Sequence, residues 1–174
     1  GFEQGLGYRT AVYPPFPQAV PKYPVIDTES CIYFDNGKCK ACEKLCPTDA
    51  IKFDQEEEIL LLEVGNIIIA TGFDTFDARR IPESGYGRLA NVFTSVEFER
   101  MCNAAGPTNG EIVMRDGVTK PKSVGLVHCV GSRDNRYNSY CSVICCMSSL
   151  KFAHLVKERT GAEVYNFYID MRTA

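Results

Sequence analysis

Ser123-Val124-Gly125-Leu126-Val127-His128-Cys129-Val130-Gly131-Ser132-Arg133-Asp134 is an apolar run that ends in a polar turn, and the elements after it decide the fold. Ser123 to His128 reads as a strand, Cys141 to Arg159 as a helix ended by Gly161, and Glu163 to Ile169 as a second strand. Strand, loop, helix, strand is the order of a βαβ unit, with a parallel pair and a right-handed crossover. In a dinucleotide-binding unit of this kind the first turn carries GxGxxG and presents a helix N-terminus to pyrophosphate. Here the turn lacks that fingerprint and holds Cys129, while Cys141, Cys145 and Cys146 fall on the first turns of the expected helix. A thiolate pocket stands where the nucleotide pocket would be.

The expected helix stacks Cys141 and Cys145 on one face, puts Cys146 about 100° further round, and leaves Cys129 at the carboxyl end of the strand. Ligands of open α/β sheets bind in that crevice. Four thiolates on a [4Fe–4S] core leave a negative charge that a helix N-terminus favours, with Arg133 or Arg136 to offset more of it. Two other readings stay open, because CxxxCC is not a familiar metal spacing. Buried cysteines are ordinary core residues, and Cys145 with Cys146 could form a redox-active dithiol, although vicinal disulfides are strained.

A further set lies upstream: Cys31, Cys39, Cys42 and Cys46, followed by Pro47. CxxCxxxCP places three thiolates in a tight loop, and the proline ends the turn and keeps the chain off a cluster. This is the spacing of an iron–sulfur site and points to electron transfer, with Cys31 reaching in as fourth ligand because no second motif follows Cys46. Zinc also takes four thiolates, but structural zinc sites usually pair two CxxC knuckles separated by a longer stretch. A disulfide is the blandest alternative, and nothing in the chain suggests secretion. Thr48 to Phe53 matches the short helix and strand that close a ferredoxin half. The ninth cysteine, Cys102, sits alone on the apolar face of a helix expected from Ser95, its N-cap, to Ala104, and reads as a core residue.

The 174 residues can bury a real core. A net charge of −3, with dispersed lysines and arginines, gives nucleic-acid binding no support. No apolar run approaches the length of a membrane span, and no signal peptide is evident, so a soluble, cytoplasmic protein is expected. The chain opens at Gly1 in a polar, aromatic segment and reads as part of something larger. From Tyr13 to Pro24 five prolines exclude a helix. Tyr13, Phe16 and Tyr23 favour an extended strap over another surface rather than a solvated linker. Residues 58–63 and 66–70 read as short strands, which with the βαβ unit indicate an open α/β sheet. The second runs into Ala70-Thr71-Gly72, where small residues would let the backbone approach a cofactor, or where a strand simply ends in a turn.

Taken together, Pro17-Gln18-Ala19-Val20-Pro21, the first cysteine set, Ala70-Thr71-Gly72-Phe73-Asp74, Cys129 to Asp134, Cys141 through Met147 and Asp170-Met171-Arg172-Thr173 resemble the central part of the heterodisulfide reductase A subunit. The resemblance covers essentially the whole chain. It implies an α/β fold, a partial thioredoxin-reductase-like dinucleotide-binding domain with an inserted small ferredoxin-like α+β module. The expected segments are a proline-rich strap (1–22), the ferredoxin-like [4Fe–4S] module (23–57), part of the FAD-binding domain (58–122) and a Rossmann-like βαβ unit carrying the second cysteine set (123–174).

By the same resemblance, two [4Fe–4S] clusters are held by Cys31, Cys39, Cys42 and Cys46 and by Cys129, Cys141, Cys145 and Cys146. FAD lies at Ala70, Thr71 and Gly72, and its GxGxxG lies outside this chain. In the family FAD splits electron pairs between two acceptors and the clusters conduct the separated electrons. The implied partners are other heterodisulfide-reductase-type subunits and an electron-donating hydrogenase, dehydrogenase or ferredoxin. The competing non-enzymatic reading is a zinc-stapled docking module that uses the same eight cysteines structurally.

Overall fold

The computed structural model describes residues 2–173; positions 1 and 174, the outer bounds of the first and last expected segments, lie outside the described residues. The chain forms two units, Arg9–Phe73 and the segment up to Tyr8 joined with Asp74 onward. Both helices and small sheets are present, so the class is mixed α/β. No helix among the described residues is long and apolar enough to cross a membrane.

In Arg9–Phe73, β1 (Val12–Tyr13) and β2 (Val25–Ile26) pair antiparallel. The proline-rich stretch between them, described throughout, contains no helix, as its prolines require. Phe16 and Tyr23 are exposed, whereas Tyr13 is half-buried with the Arg9 guanidinium 3.7 Å over its ring. Arg9 also pairs with Asp27 at 2.8 Å, across the same two strands. Next come two five-residue helices, α1 (Ile32–Asn36) and α2 (Ala41–Leu45).

Two expectations for this unit fail, for one reason. Neither the short helix nor the strand expected over Thr48 to Phe53 forms; Pro47 and Thr48 turn, and the Phe53 ring instead packs on Tyr33 with centroids 4.0 Å apart. Residues 58–63 and 66–70 are not strands either. Strand preference reflects packing against neighbours more than the backbone itself, and none of the described strands pairs with these segments. Their apolar side chains stay in water, Leu61 and Ile68 at 95% and 90% exposure.

The other unit holds the apolar core. The helix α3 (Ser95–Cys102) starts one residue earlier in capping terms than expected, because Thr94 and not Ser95 is its N-cap. The Thr94 hydroxyl accepts the Glu97 N–H at 3.2 Å, and the Glu97 carboxylate takes the Thr94 N–H at 2.6 Å. That is a reciprocal capping box, written in the sequence as Thr-x-x-Glu. Glu97 is buried, and Arg115 at 3.3 Å balances its charge.

The strands β3 (Ser123–Val127) and β4 (Glu163–Phe167) pair parallel, Ser123 opposite Glu163 through Val127 opposite Phe167. Between them runs α4 (Cys145–Thr160), ended by Gly161 as expected. Cys146, Ser149, Phe152 and Val156 recur at helical spacing and form its buried stripe. Val156 meets Met101, Cys102, Ile112 and Ala162 in the core, and Phe98 and Phe152 pack edge to face at 5.0 Å. Arg159 ties the end of α4 to the carbonyls of Cys102 and Gly110. Cys102 is thus a core residue, and burial pushes its thiol up to about 11.

Replacing Thr94 by Ala removes the cap and is expected to cost about 1 kcal/mol, whereas Phe152→Ala leaves a cavity against Phe98 and costs about 3–5 kcal/mol. Denaturant midpoints at unchanged slope measure both, and equal losses would show that the cap or the ring pair has been misjudged.

Candidate metal centre

The end of β3 places the second cysteine set. Ladder pairing stops at Val127, His128 keeps one backbone bond to the Phe167 carbonyl at 2.9 Å, and Cys129 then turns into the left-handed region at φ 58°. Ser132 folds the following loop back. Its hydroxyl donates to the Tyr140 carbonyl at 3.2 Å and accepts the Ser142 N–H at 3.2 Å. Asn138 adds a bond to the Gly131 carbonyl at 2.7 Å. Gly131 sits at φ 74°, where a Cβ would come within 2.4 Å of the Phe76 ring, so the turn accepts no side chain without displacing that ring.

This loop corrects the expected helix start. Residues 141–144 are drawn off the helix by the Ser132–Ser142 bond, and Val143 lies at φ 59°, so α4 begins at Cys145. Cys141 therefore does not stack with Cys145 on a helical face. It stands in the loop before the helix, its sulfur accepting the Val143 N–H at 3.4 Å. Cys145 and Cys146 are the first two helical residues, and the Cys146 sulfur accepts the Arg172 N–H at 3.4 Å. Cys129, Gly131, Ser132, Tyr140, Ser142 and Cys145, with Phe76, line an open pocket of about 340 Å³.

The thiols here are unequal. Burial raises Cys129, reinforced by the neighbouring Cys145 sulfur and opposed by Arg133. Burial also works against the Cys145 thiolate, but hydrogen bonds from the Cys129 backbone, Ser142 and the adjacent thiols outweigh it and hold Cys145 below the ordinary thiol value. A ring nitrogen of His128 and the sulfurs of Cys145 and Cys146 lie within 4.8 Å of one another. In the same ring, His128 Nδ1 is buried without a hydrogen-bond partner. Of the second set, the structure brings Cys145 and Cys146 to the His128 ring and Cys129 beside Cys145, a nitrogen and sulfur donor set whose chemistry suits a metal group.

The first set is built on α1 and α2. Cys31 precedes α1 as its N-cap residue and is buried. Cys39 lies just before α2, Cys42 is within it, and Cys46 is its C-cap, leading into Pro47. The Cys46 sulfur has the Thr48 hydroxyl at 3.5 Å and accepts the Ala50 N–H at 3.3 Å. Those bonds, the Thr48 hydroxyl first, lower its thiol from the ordinary value. A lowered thiol makes Cys46 the readier of these cysteines to lose its proton and ligate.

Ala70, Thr71 and Gly72 lie in exposed chain without regular structure; Gly72 has φ 77° and open space around its Cα. Sequence reading missed His128 and the Ser132 clamp. The signal for His128 was available, a histidine beside a cysteine at a strand end with two more cysteines downstream. Nothing local marks Ser132, whose role depends on a loop closure across ten residues.

No family model matches the chain. Among curated proteins it is 46% identical over 173 residues to the A subunit of the H2:CoB-CoM heterodisulfide,ferredoxin reductase of Methanothermobacter thermautotrophicus, covering 98% of this chain and 26% of the relative. It is 49% identical over 175 residues to the second iron–sulfur A subunit of the CoB–CoM heterodisulfide reductase of Methanopyrus kandleri, with the same shares. A Methanosarcina acetivorans relative, the A subunit of the ferredoxin/F420H2-dependent CoB-CoM heterodisulfide reductase, is 42% identical over 172 residues, 98% of this chain and 21% of its own. The chain thus spans about a quarter of the length of these relatives. Across nearly its whole length the chain is similar to one segment of these heterodisulfide reductase A subunits.

Proposed function

We propose that the chain is the electron-carrying part of a flavin-dependent, electron-bifurcating oxidoreductase of the heterodisulfide reductase type, in which Cys31, Cys39, Cys42 and Cys46 hold one [4Fe–4S] cluster and Cys129, Cys141, Cys145 and Cys146 a second. The observation that carries this reading is that eight of the nine cysteines fall into two local sets while the ninth, Cys102, is buried in an apolar core. Relatives alike over 98–99% of the chain bear names that include heterodisulfide reductase and iron–sulfur. Bound there, the clusters would pass single electrons.

The chain's own residues would seat and tune them. The N-terminus of the sixteen-residue α4 favours the net negative charge of a thiolate-ligated cluster, and Arg133 favours the Cys129 thiolate. The fold that goes with this reading is a thioredoxin-reductase-like FAD domain with a ferredoxin-like insertion at about residues 23–57. FAD would lie against Ala70, Thr71 and Gly72 in the assembled protein. Partners would be other subunits of the same type and an electron-donating hydrogenase, dehydrogenase or ferredoxin, in the cytoplasm.

One observation favours a second reading. The compact group of His128, Cys145 and Cys146 has the size of a mononuclear site, since zinc–sulfur and zinc–nitrogen bonds of about 2.3 and 2.0 Å place donors roughly 3.5–3.8 Å apart. A zinc-stapled docking module would result. Anoxic purification separates the two: a brown protein with about eight irons and matching sulfide supports clusters, and a colourless protein with zinc supports the staple.

Replacing Cys42 by Ala is expected to remove about four irons per chain, and Cys145→Ser up to about four others together with one reduced-state EPR signal. Cys102→Ser, a core substitution, should change neither. Full iron in both ligand variants would defeat the assignment. For the flavin, Gly72→Val in the flavin-loaded protein is expected to abolish FAD retention and spare both clusters, since at φ 77° a β-branched residue is strained and would block close backbone approach. Normal flavin content there would reduce Ala70-Thr71-Gly72 to an ordinary turn.

A further inference from the structure

His128 is 6% exposed, and its two ring nitrogens are treated differently. Nε2 lies 3.1 Å from Asn166 Oδ1, while Nδ1 is buried without a hydrogen-bond partner, the one such side-chain atom among the described residues. Buried polar atoms are rarely left so, because the loss of water has to be matched by a new partner. The neighbours of suitable chemistry are the sulfurs of Cys145 and Cys146, which lie with a ring nitrogen of His128 inside 4.8 Å. With Nε2 engaged by Asn166, Nδ1 is the nitrogen available to them.

Resting on the reading that the second cysteine set holds a cluster, we propose that His128 is a positioning residue of that cluster: its Nδ1–H donates a hydrogen bond to a ligating sulfur of Cys145 or Cys146 and raises the cluster's reduction potential. Three features support it. The register of β3 and β4 places Leu126 opposite Asn166, so the side chain that holds Nε2 is fixed by the sheet rather than by the loop. Asn166 carries an amide N–H as well as its carbonyl, so with the two ends of that side chain exchanged Nε2 accepts from the Asn166 amide and Nδ1 carries the proton. The charge of a thiolate-ligated cluster selects a donor, not a lone pair, on the atom facing it. Hydrogen bonds to cluster sulfurs are among the factors that set the potential, and they favour the more negatively charged, reduced state.

The chain has two histidines, and the other, His154, is on the exposed side of α4, which makes the test clean. The protein is labelled with 15N-histidine, isolated and reduced without oxygen, and examined by pulsed EPR on the signal that Cys145→Ser removes. A weak 15N coupling is expected, lost in His128→Leu and kept in His154→Gln. The midpoint potential of that cluster should move to more negative values in His128→Leu at unchanged iron content, and His128→Gln, which still offers an N–H, should lie between. No 15N coupling in the labelled wild type overturns the proposal even where His128→Leu fails to fold. So does an unshifted potential, or a coupling as large as a direct iron–nitrogen bond requires. Each of those outcomes leaves the two-cluster reading standing, whereas absence of any signal sensitive to Cys145→Ser overturns both.

Discussion

The parallel pairing of β3 with β4 is the constraint on which the second cysteine set depends. Because side chains alternate along a strand, the register that sets Val124 against Val164 also turns Leu126 and Asn166 to the same, half-buried face. A slip of one residue would send Asn166 to the opposite face, release the His128 ring, and bring Tyr165 and Phe167 into the core. The same register fixes where the ladder ends, and hence where Cys129 can leave the strand for its left-handed turn. Helix α4 is then held over the sheet by Phe152 and Val156, so Cys145 and Cys146 are placed by packing that begins about two helical turns further along.

The two units are stabilised differently. Of the buried apolar residues among those described, only Ala19 and Cys31 belong to Arg9–Phe73; the rest belong to the other unit. A segment of that size with so little core usually needs a staple. Tyr33, Phe34 and Phe53, with Lys40 over two of the rings, form an aromatic group there. Ligation at the first cysteine set would therefore carry folding free energy there, while the second set sits on a framework that packs without it.

The βαβ unit was legible because its information is local: an apolar run, a helical stripe and a terminal glycine suffice. The capping box was equally local, and Thr94 was passed over only because Ser95 is an acceptable cap in isolation. The start of α4 was not legible. Cys141 to Ile144 has nothing against helix, and the bond that withdraws it comes from Ser132, whose position depends on the loop already being closed. The strands expected at 58–70 show the opposite failure. Ile67-Ile68-Ile69 has the right composition, but a strand is a property of a pair, and composition does not say whether the pair is present. The first cysteine set stands out by spacing and the second by its place at a strand end and helix start, whereas the significance of His128 lies in one unpartnered nitrogen.

The exposed run from Ile59 to Ala70 bears on how the isolated chain behaves in solution. Ile67, Ile68 and Ile69 are each more than four-fifths exposed, uncharged and β-branched, the composition that pairs edge to edge with a second copy of itself. The sequence interrupts this stretch at Glu63 and precedes it with Glu56, Glu57 and Glu58. Carboxylates placed in and before an apolar run repel one another when like segments stack. Salt screens repulsion between exposed charges, so that barrier between the isoleucines of different molecules would fall as ionic strength rises.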